Sequence, residues 1–90
     1  MKRYLVIWSQ VALDGITAAW VAAPSELRGA ILKAWHRIDD ELASNPEDLG
    51  ESRDEGRRIW FESPLGVVFK VDADKKEVRL LQVWTFTKRS

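Results

Sequence analysis

The chain has 90 residues, 46% of them apolar, with fourteen basic residues, fourteen acidic residues and no cysteine. A chain of this length makes one domain, spanning residues 1–90, and buries only about 60% of its unfolded surface, which argues against a large enclosed substrate pocket. The absence of cysteine excludes a disulfide framework, a thiolate metal site and a cysteine nucleophile, and fits a reducing compartment.

The charges balance in total but not along the chain. Residues 38–56 hold eight acids against Arg53 alone, a net of −7, which leaves +7 on the remainder. A local basic surface can therefore persist within a neutral total.

In chain order, "RYLVIW" (3–8) is β-rich, lacks a helical period and reads as a buried or central strand. The start of the chain imitates an export signal, but Ser9, Gln10 and Asp14 interrupt the apolar run, so a mature N-terminus and a cytoplasmic protein are expected. No stretch approaches the roughly 18 apolar residues of a membrane span. Ser9 can cap a helix whose inner face carries Ala12, Ile16, Ala19, Trp20 and Ala23, in which Gly15 costs about 1 kcal/mol relative to Ala. Pro24-Ser25 ends this helix, and Ser25 can cap the next. The second helix has a continuous stripe of Leu27, Ile31, Ala34, Trp35, Ile38 and Leu42. "SNPEDLGESRDEG" (44–56) is acidic, poor in apolar anchors and expected to be a mobile loop. Three strands follow, at 57–62, 65–72 and 77–86, joined by Ser63-Pro64 and "ADKK". The order β-α-α-β-β-β predicts an α+β layer, with two helices on one face of a small, largely antiparallel sheet.

Alternation along these strands divides the side chains between two faces. A two-residue turn at Ser63-Pro64 pairs Arg57 with Lys70, and a four-residue loop at "ADKK" pairs Lys70 with Arg79. Trp60, Leu65, Val67, Phe69, Val71, Val78, Leu80 and Trp84 then face the helices, with Arg58 and Gln82 among them. The opposite face carries Arg57, Ile59, Phe61, Gly66, Val68, Lys70, Arg79, Leu81, Val83 and Thr85. Three cations side by side repel by a few tenths of a kcal/mol or more per close pair, so the row is a poor choice for folding alone and a good one for an anion. Its plainer alternative is solvated charge paired with acids of the 44–56 loop, and that of Arg58 is a strand-edge salt bridge. The remaining apolar side chains would make an exposed interaction patch. A one-residue bulge would move Arg79 to the other face. His36, the single histidine, is expected to be exposed on its helix, and no metal site or cofactor is expected. No phosphate loop, nucleotide fingerprint or Ser-His-Asp set is present.

Trp8-Ser9, Leu42-Ala43-Ser44-Asn45-Pro46, Gly56-Arg57-Arg58, and Pro64-Leu65-Gly66-Val67-Val68-Phe69-Lys70-Val71 leading into Val78-Arg79-Leu80-Leu81-Gln82-Val83-Trp84 together resemble the RelE/ParE superfamily of type II toxins. The resemblance covers nearly the whole chain through loose motifs. It implies a cognate antitoxin partner, in a hetero-oligomer, and one of two activities without a membrane partner. RelE-like members cleave mRNA in the ribosome, with basic and aromatic side chains on the sheet, whereas ParE-like members inhibit DNA gyrase. A protein-binding module that kept the fold without catalysis is the third alternative. Carried over by position, the resemblance makes Arg57, Lys70 and Arg79 the candidate catalytic residues, with Arg58, Phe61, Thr85, Lys88 and Arg89 contacting RNA or partner. The sequence departs from the nuclease pattern at Gly66, where Arg is common, at Thr85 and Phe86, near a usual basic residue or His, and in a tail without Tyr or His.

Overall fold

A computed structural model of the chain describes residues 3–86. It contains β1 (Leu5–Trp8), α1 (Gln10–Ala22), α2 (Ser25–Ser44), β2 (Glu51–Ser52), β3 (Arg57–Glu62), β4 (Leu65–Asp72) and β5 (Glu77–Thr85), with single 3₁₀ turns at Pro46–Asp48 and Asp54–Gly56. The strands form one sheet in the order β1-β5-β4-β3-β2. Only the β1–β5 pair is parallel. The two helices intervene between β1 and the antiparallel strands, which supplies the long connection that a parallel pair requires.

Local chemistry sets the helix ends. The Ser9 hydroxyl accepts a hydrogen bond from the Ala12 N–H (3.1 Å), satisfying one of the free donors in the first turn of α1. Ser25 is the first residue of α2 rather than its cap. Pro24 holds the cap position without a side-chain hydrogen bond, and its carbonyl accepts from the Leu27 N–H at 2.9 Å.

Both helices lay their apolar stripes on one face of the sheet. Ala12, Ile16 and Ala23 of the first helical segment and Ile31, Ala34, Ile38 and Leu42 of α2 meet Leu65, Val67, Phe69, Val78, Leu80 and Val83 in a single core. Full burial of each large apolar side chain contributes about 1.5–3 kcal/mol, so this core is the main source of stability. Trp20, Trp35 and Trp60 pack at its margin as expected. Trp8 joins them, its ring 5.4 Å from that of Trp35 and its Nε1 donating to Asp39 Oδ1 at 3.2 Å. Among the described residues, no helix is long and apolar enough to cross a membrane.

The acidic 44–56 segment has more structure than its composition implies. Two 3₁₀ turns and the two-residue β2, antiparallel to β3, tie it to the sheet edge. At its start the Tyr4 hydroxyl donates to Glu47 Oε1 (2.6 Å), and this hydrogen bond, aided by the negative charge of Glu47, raises the Tyr4 pKa above its ordinary value.

Candidate functional site

The face of the sheet opposite the helices is built by β3, β4 and β5. The register pairs Arg57 with Lys70 and Lys70 with Arg79, so the three cations stand in one row across three strands. All three are exposed. Arg57 Nη2 lies 3.3 Å from Glu55 Oε2, a pairing with a loop acid. Lys70 and Arg79 have no side-chain hydrogen bond or ion pair with any described residue. Two residues further along their strands, Asp72 pairs with Glu77 across β4 and β5, on the same face as the cations. An open depression of about 510 Å³ adjoins the row, with Glu55, Lys70, Asp72, Glu77 and Arg79 in its lining. The anion-attracting row is thus bounded by carboxylates at the end of the sheet nearest the 73–76 turn.

Toward the other end, the sheet departs from simple alternation. A β-bulge shifts the β4–β5 register between Val68 and Phe69: Phe69 pairs with Leu80 but Val68 pairs with Gln82, leaving Leu81 as the extra residue. The bulge lies beyond Arg79, which keeps its expected face, and reverses the residues that follow. Val83 therefore turns into the core, where it is 6% exposed, and Thr85 lies opposite Leu65 on the helix-facing side. Gln82 and Trp84 turn outward, opposite Val68 and Gly66. The expectation that Trp84 and Gln82 face the helices, and that Val83 and Thr85 face away, is corrected by this one extra residue.

As a result, Trp84 joins Phe61 on the outer face. Their ring centroids are 6.1 Å apart at an interplanar angle of 86°, and the Phe86 ring stands 5.2 Å from that of Phe61. Phe61 is 50% exposed. The bare backbone of Gly66 makes this arrangement possible, because a Cβ there would stand 2.7 Å from Cε2 and Cζ2 of the Trp84 indole. An arginine at this position would displace Trp84. Sequence reasoning missed Trp84 as an outer-face residue, although simple alternation put the polar Gln82 in the core, and that conflict signals a break in the pattern.

Arg58 has a different setting. Its Nε donates to the Leu49 carbonyl (2.8 Å), its Nη1 to Ser52 Oγ (2.9 Å) and its Nη2 to the Gly50 carbonyl (3.2 Å). The guanidinium thus binds the 49–52 segment to β3 through hydrogen bonds rather than a salt bridge. Hydrogen bonds from charged donors contribute about 1.5–3 kcal/mol each when sheltered and less in partial exposure. Arg58→Ala is expected to cost about 2 kcal/mol and to speed proteolysis between residues 49 and 56. A urea melt and a limited-digestion time course, both unchanged from wild type, would refute this role. Lys88 and Arg89 lie outside the described residues. His36 is exposed, and no group of side chains suited to a metal ion occurs among the described residues.

No protein-family model matches the chain, and no curated protein matches it. Solved structures do. A chain of the RelBE2 toxin–antitoxin complex of Mycobacterium tuberculosis superposes with a TM-score of 0.74 at 18% identity, covering 98% of this chain and 97% of that one. A chain of the chromosomal ParDE toxin–antitoxin system of P. aeruginosa gives 0.73 at 18% identity, covering 94% and 98%. The isolated E. coli RelE toxin gives 0.61 at 18% identity, covering 96% and 87%. Arrangement of elements and extent of overlap agree in all three: the chain has the RelE/ParE toxin fold, two helices packed on one face of a five-stranded, mostly antiparallel sheet.

Proposed function

We propose that the chain is the toxin of a toxin–antitoxin pair, active in the cytoplasm, and that it cleaves mRNA at the ribosome through the outer face of its sheet. The likeness to RelBE and ParDE chains supports a toxin held by an antitoxin. The backbone does not choose between the two activities, because TM-scores of 0.74 and 0.73 are equivalent. The choice rests on side chains.

The observation that carries the nuclease reading is the in-register row Arg57–Lys70–Arg79, with Lys70 and Arg79 lacking internal partners among the described residues. Three cations fixed on rigid strands suit a phosphodiester whose negative charge grows during attack by the 2′-hydroxyl, since preorganised charge requires little rearrangement when the transition state forms. Lys70, flanked by Arg57 and Arg79, is central to the row and the candidate to take the 2′-proton. Phe61, on the same face but four residues along β3 from Arg57, adds an exposed aromatic ring to the surface offered to RNA.

A second reading, gyrase inhibition or binding without catalysis, is favoured by α1. Val11 and Val21 are 62% and 68% exposed on its solvent side, and Asp14 is the helix's one charged residue. Such an apolar helix surface suits a protein partner. Induced expression in a bacterial host separates the two readings. The nuclease reading expects rapid translation arrest with new mRNA 5′ ends inside translated codons, and coexpression with the antitoxin restores growth. Growth arrest with DNA damage and intact messages would replace it with gyrase inhibition. Intact messages and normal growth would leave a binding module.

A further inference from the structure

We propose that Glu55 is an autoinhibitory contact built into the cation row: its carboxylate holds Arg57 in place of a phosphate, and an anionic ligand must displace it. This inference rests on the reading of Arg57–Lys70–Arg79 as a phosphodiester site and concerns how that site is kept from loosely presented polyanions.

Three observations converge on it. First, the backbone fixes where the carboxylate stands. β2 and β3 pair as a short hairpin, Glu51 opposite Ile59 and Ser52 opposite Arg58. The loop between them is closed twice, by the Arg53 N–H donating to the Arg57 carbonyl (2.6 Å) and by the Arg57 N–H donating to the Asp54 carbonyl. Glu55 is at the tip of this closed loop. The tip also reaches the middle of the row, since a Cβ on Gly56 would stand 4.0 Å from Cε of Lys70.

Second, Glu55 adopts φ 63°, ψ 30°. Glycine or asparagine would hold this left-handed conformation with less strain, so a glutamate here is explained by its side chain rather than by the backbone. Backbone strain of this kind concentrates at sites where it serves a function. What the side chain does is place Oε2 3.3 Å from Arg57 Nη2.

Third, the other acids nearby are engaged elsewhere or lie further off. Glu55, Asp72, Asp74 and Glu77 put four carboxylates in the depression that Lys70 and Arg79 line. The Asp72 carboxylate accepts from the Lys75 N–H (3.1 Å), and Glu51 pairs with Arg53 (3.1 Å). Among the described residues, Glu55 is the acid in ion-pair contact with a cation of the row. The side chains of Glu55 and Arg57 are 70% and 51% exposed, so the contact opens at little cost. A buried pair would close the row permanently, whereas an exposed one competes with a weakly held phosphate and yields to one that other contacts also position.

The test is binding of a fluorescein-labelled oligodeoxythymidylate to the full chain, read by anisotropy at low salt. This probe offers phosphates and no 2′-hydroxyl, so binding is measured without cleavage. Glu55→Gln is expected to tighten binding about two- to fivefold, the range set by an exposed ion pair, and to lose most of that effect at high salt. In an Arg57→Ala background the same substitution should have little effect, a coupling that loss of a general negative charge would not produce. Glu51→Gln, which removes an acid from the same segment, should change affinity less. Glu55→Gly should match Glu55→Gln in binding and raise the urea midpoint by relieving the left-handed conformation. Unchanged or weaker binding by Glu55→Gln would overturn the inference, as would equal tightening with and without Arg57. Unchanged affinity in Lys70→Ala and Arg79→Ala would instead overturn the row as an anion site, and this inference with it.

Discussion

If the chain is the ribonuclease proposed above, Lys70→Ala is expected to reduce mRNA cleavage about 100- to 1000-fold while leaving the thermal melt within a degree or two of wild type. The magnitude is that of removing one preorganised group from a developing anion. The small effect on stability follows from exposure, because a solvated side chain with no internal partner contributes within about 0.5 kcal/mol to folding. Removing a cation from between two others also relieves repulsion. Arg79→Ala should behave similarly. Arg57→Ala should cost less, because its pairing with Glu55 competes with the substrate in the wild type, although an exposed pair of this kind holds only weakly. Lys70→Arg separates charge from proton transfer. Guanidinium retains the positive charge but does not deprotonate in proteins, so cleavage should survive if Lys70 acts only through its charge and collapse if Lys70 takes the 2′-proton. Cleavage that persists within threefold of wild type in all three alanine variants would remove the row from the chemistry, and a binding role for the face would then stand in its place.

The parts of this fold that could be read from sequence are those governed by local periodicity. β3 and β4 end where expected because Ser63-Pro64 and residues 73–76 are short turns between alternating strands, and short turns fix register. Both helices carry their apolar stripes where a 3.6-residue repeat places them. The parts that could not be read depend on contacts that no periodicity records. The 44–56 segment looks unstructured because its order comes from Arg58, six residues beyond Ser52, donating to Leu49, Gly50 and Ser52. The outer face was half legible. Its cation row precedes the bulge and is placed correctly by counting from the 73–76 turn, whereas Trp84 follows the bulge and is not. Leu80-Leu81-Gln82 carries the trace: strict alternation buries the amide of Gln82, and one extra residue exchanges it for Val83.

Gly15→Ala gives the sharpest contrast between local and tertiary reasoning. Helix propensity alone expects the substitution to stabilise the protein by about 1 kcal/mol, because glycine is the poorer helix former. The packing of α1 on β5 reverses the sign. A Cβ on residue 15 would stand 2.3 Å from the Val83 carbonyl oxygen, and the obstacle is backbone rather than a side chain that could rotate away. Accommodating it requires α1 to lift or β5 to bend, and overpacking of this kind costs about 1–3 kcal/mol. For a 90-residue domain, whose total stability is on the order of 5–13 kcal/mol, that is a large share. A lower urea midpoint with an unchanged slope is expected, and Gly15→Val should be worse still. A midpoint raised by Gly15→Ala would mean that α1 rides further from the sheet than this contact implies. The strain would fall on the part of β5 just beyond Leu81, where Val83 faces α1 and Trp84 faces outward. The same variant is therefore expected to disturb the Phe61–Trp84 ring contact from the opposite side of the sheet, which would be read as a change in tryptophan fluorescence under conditions where the protein remains folded.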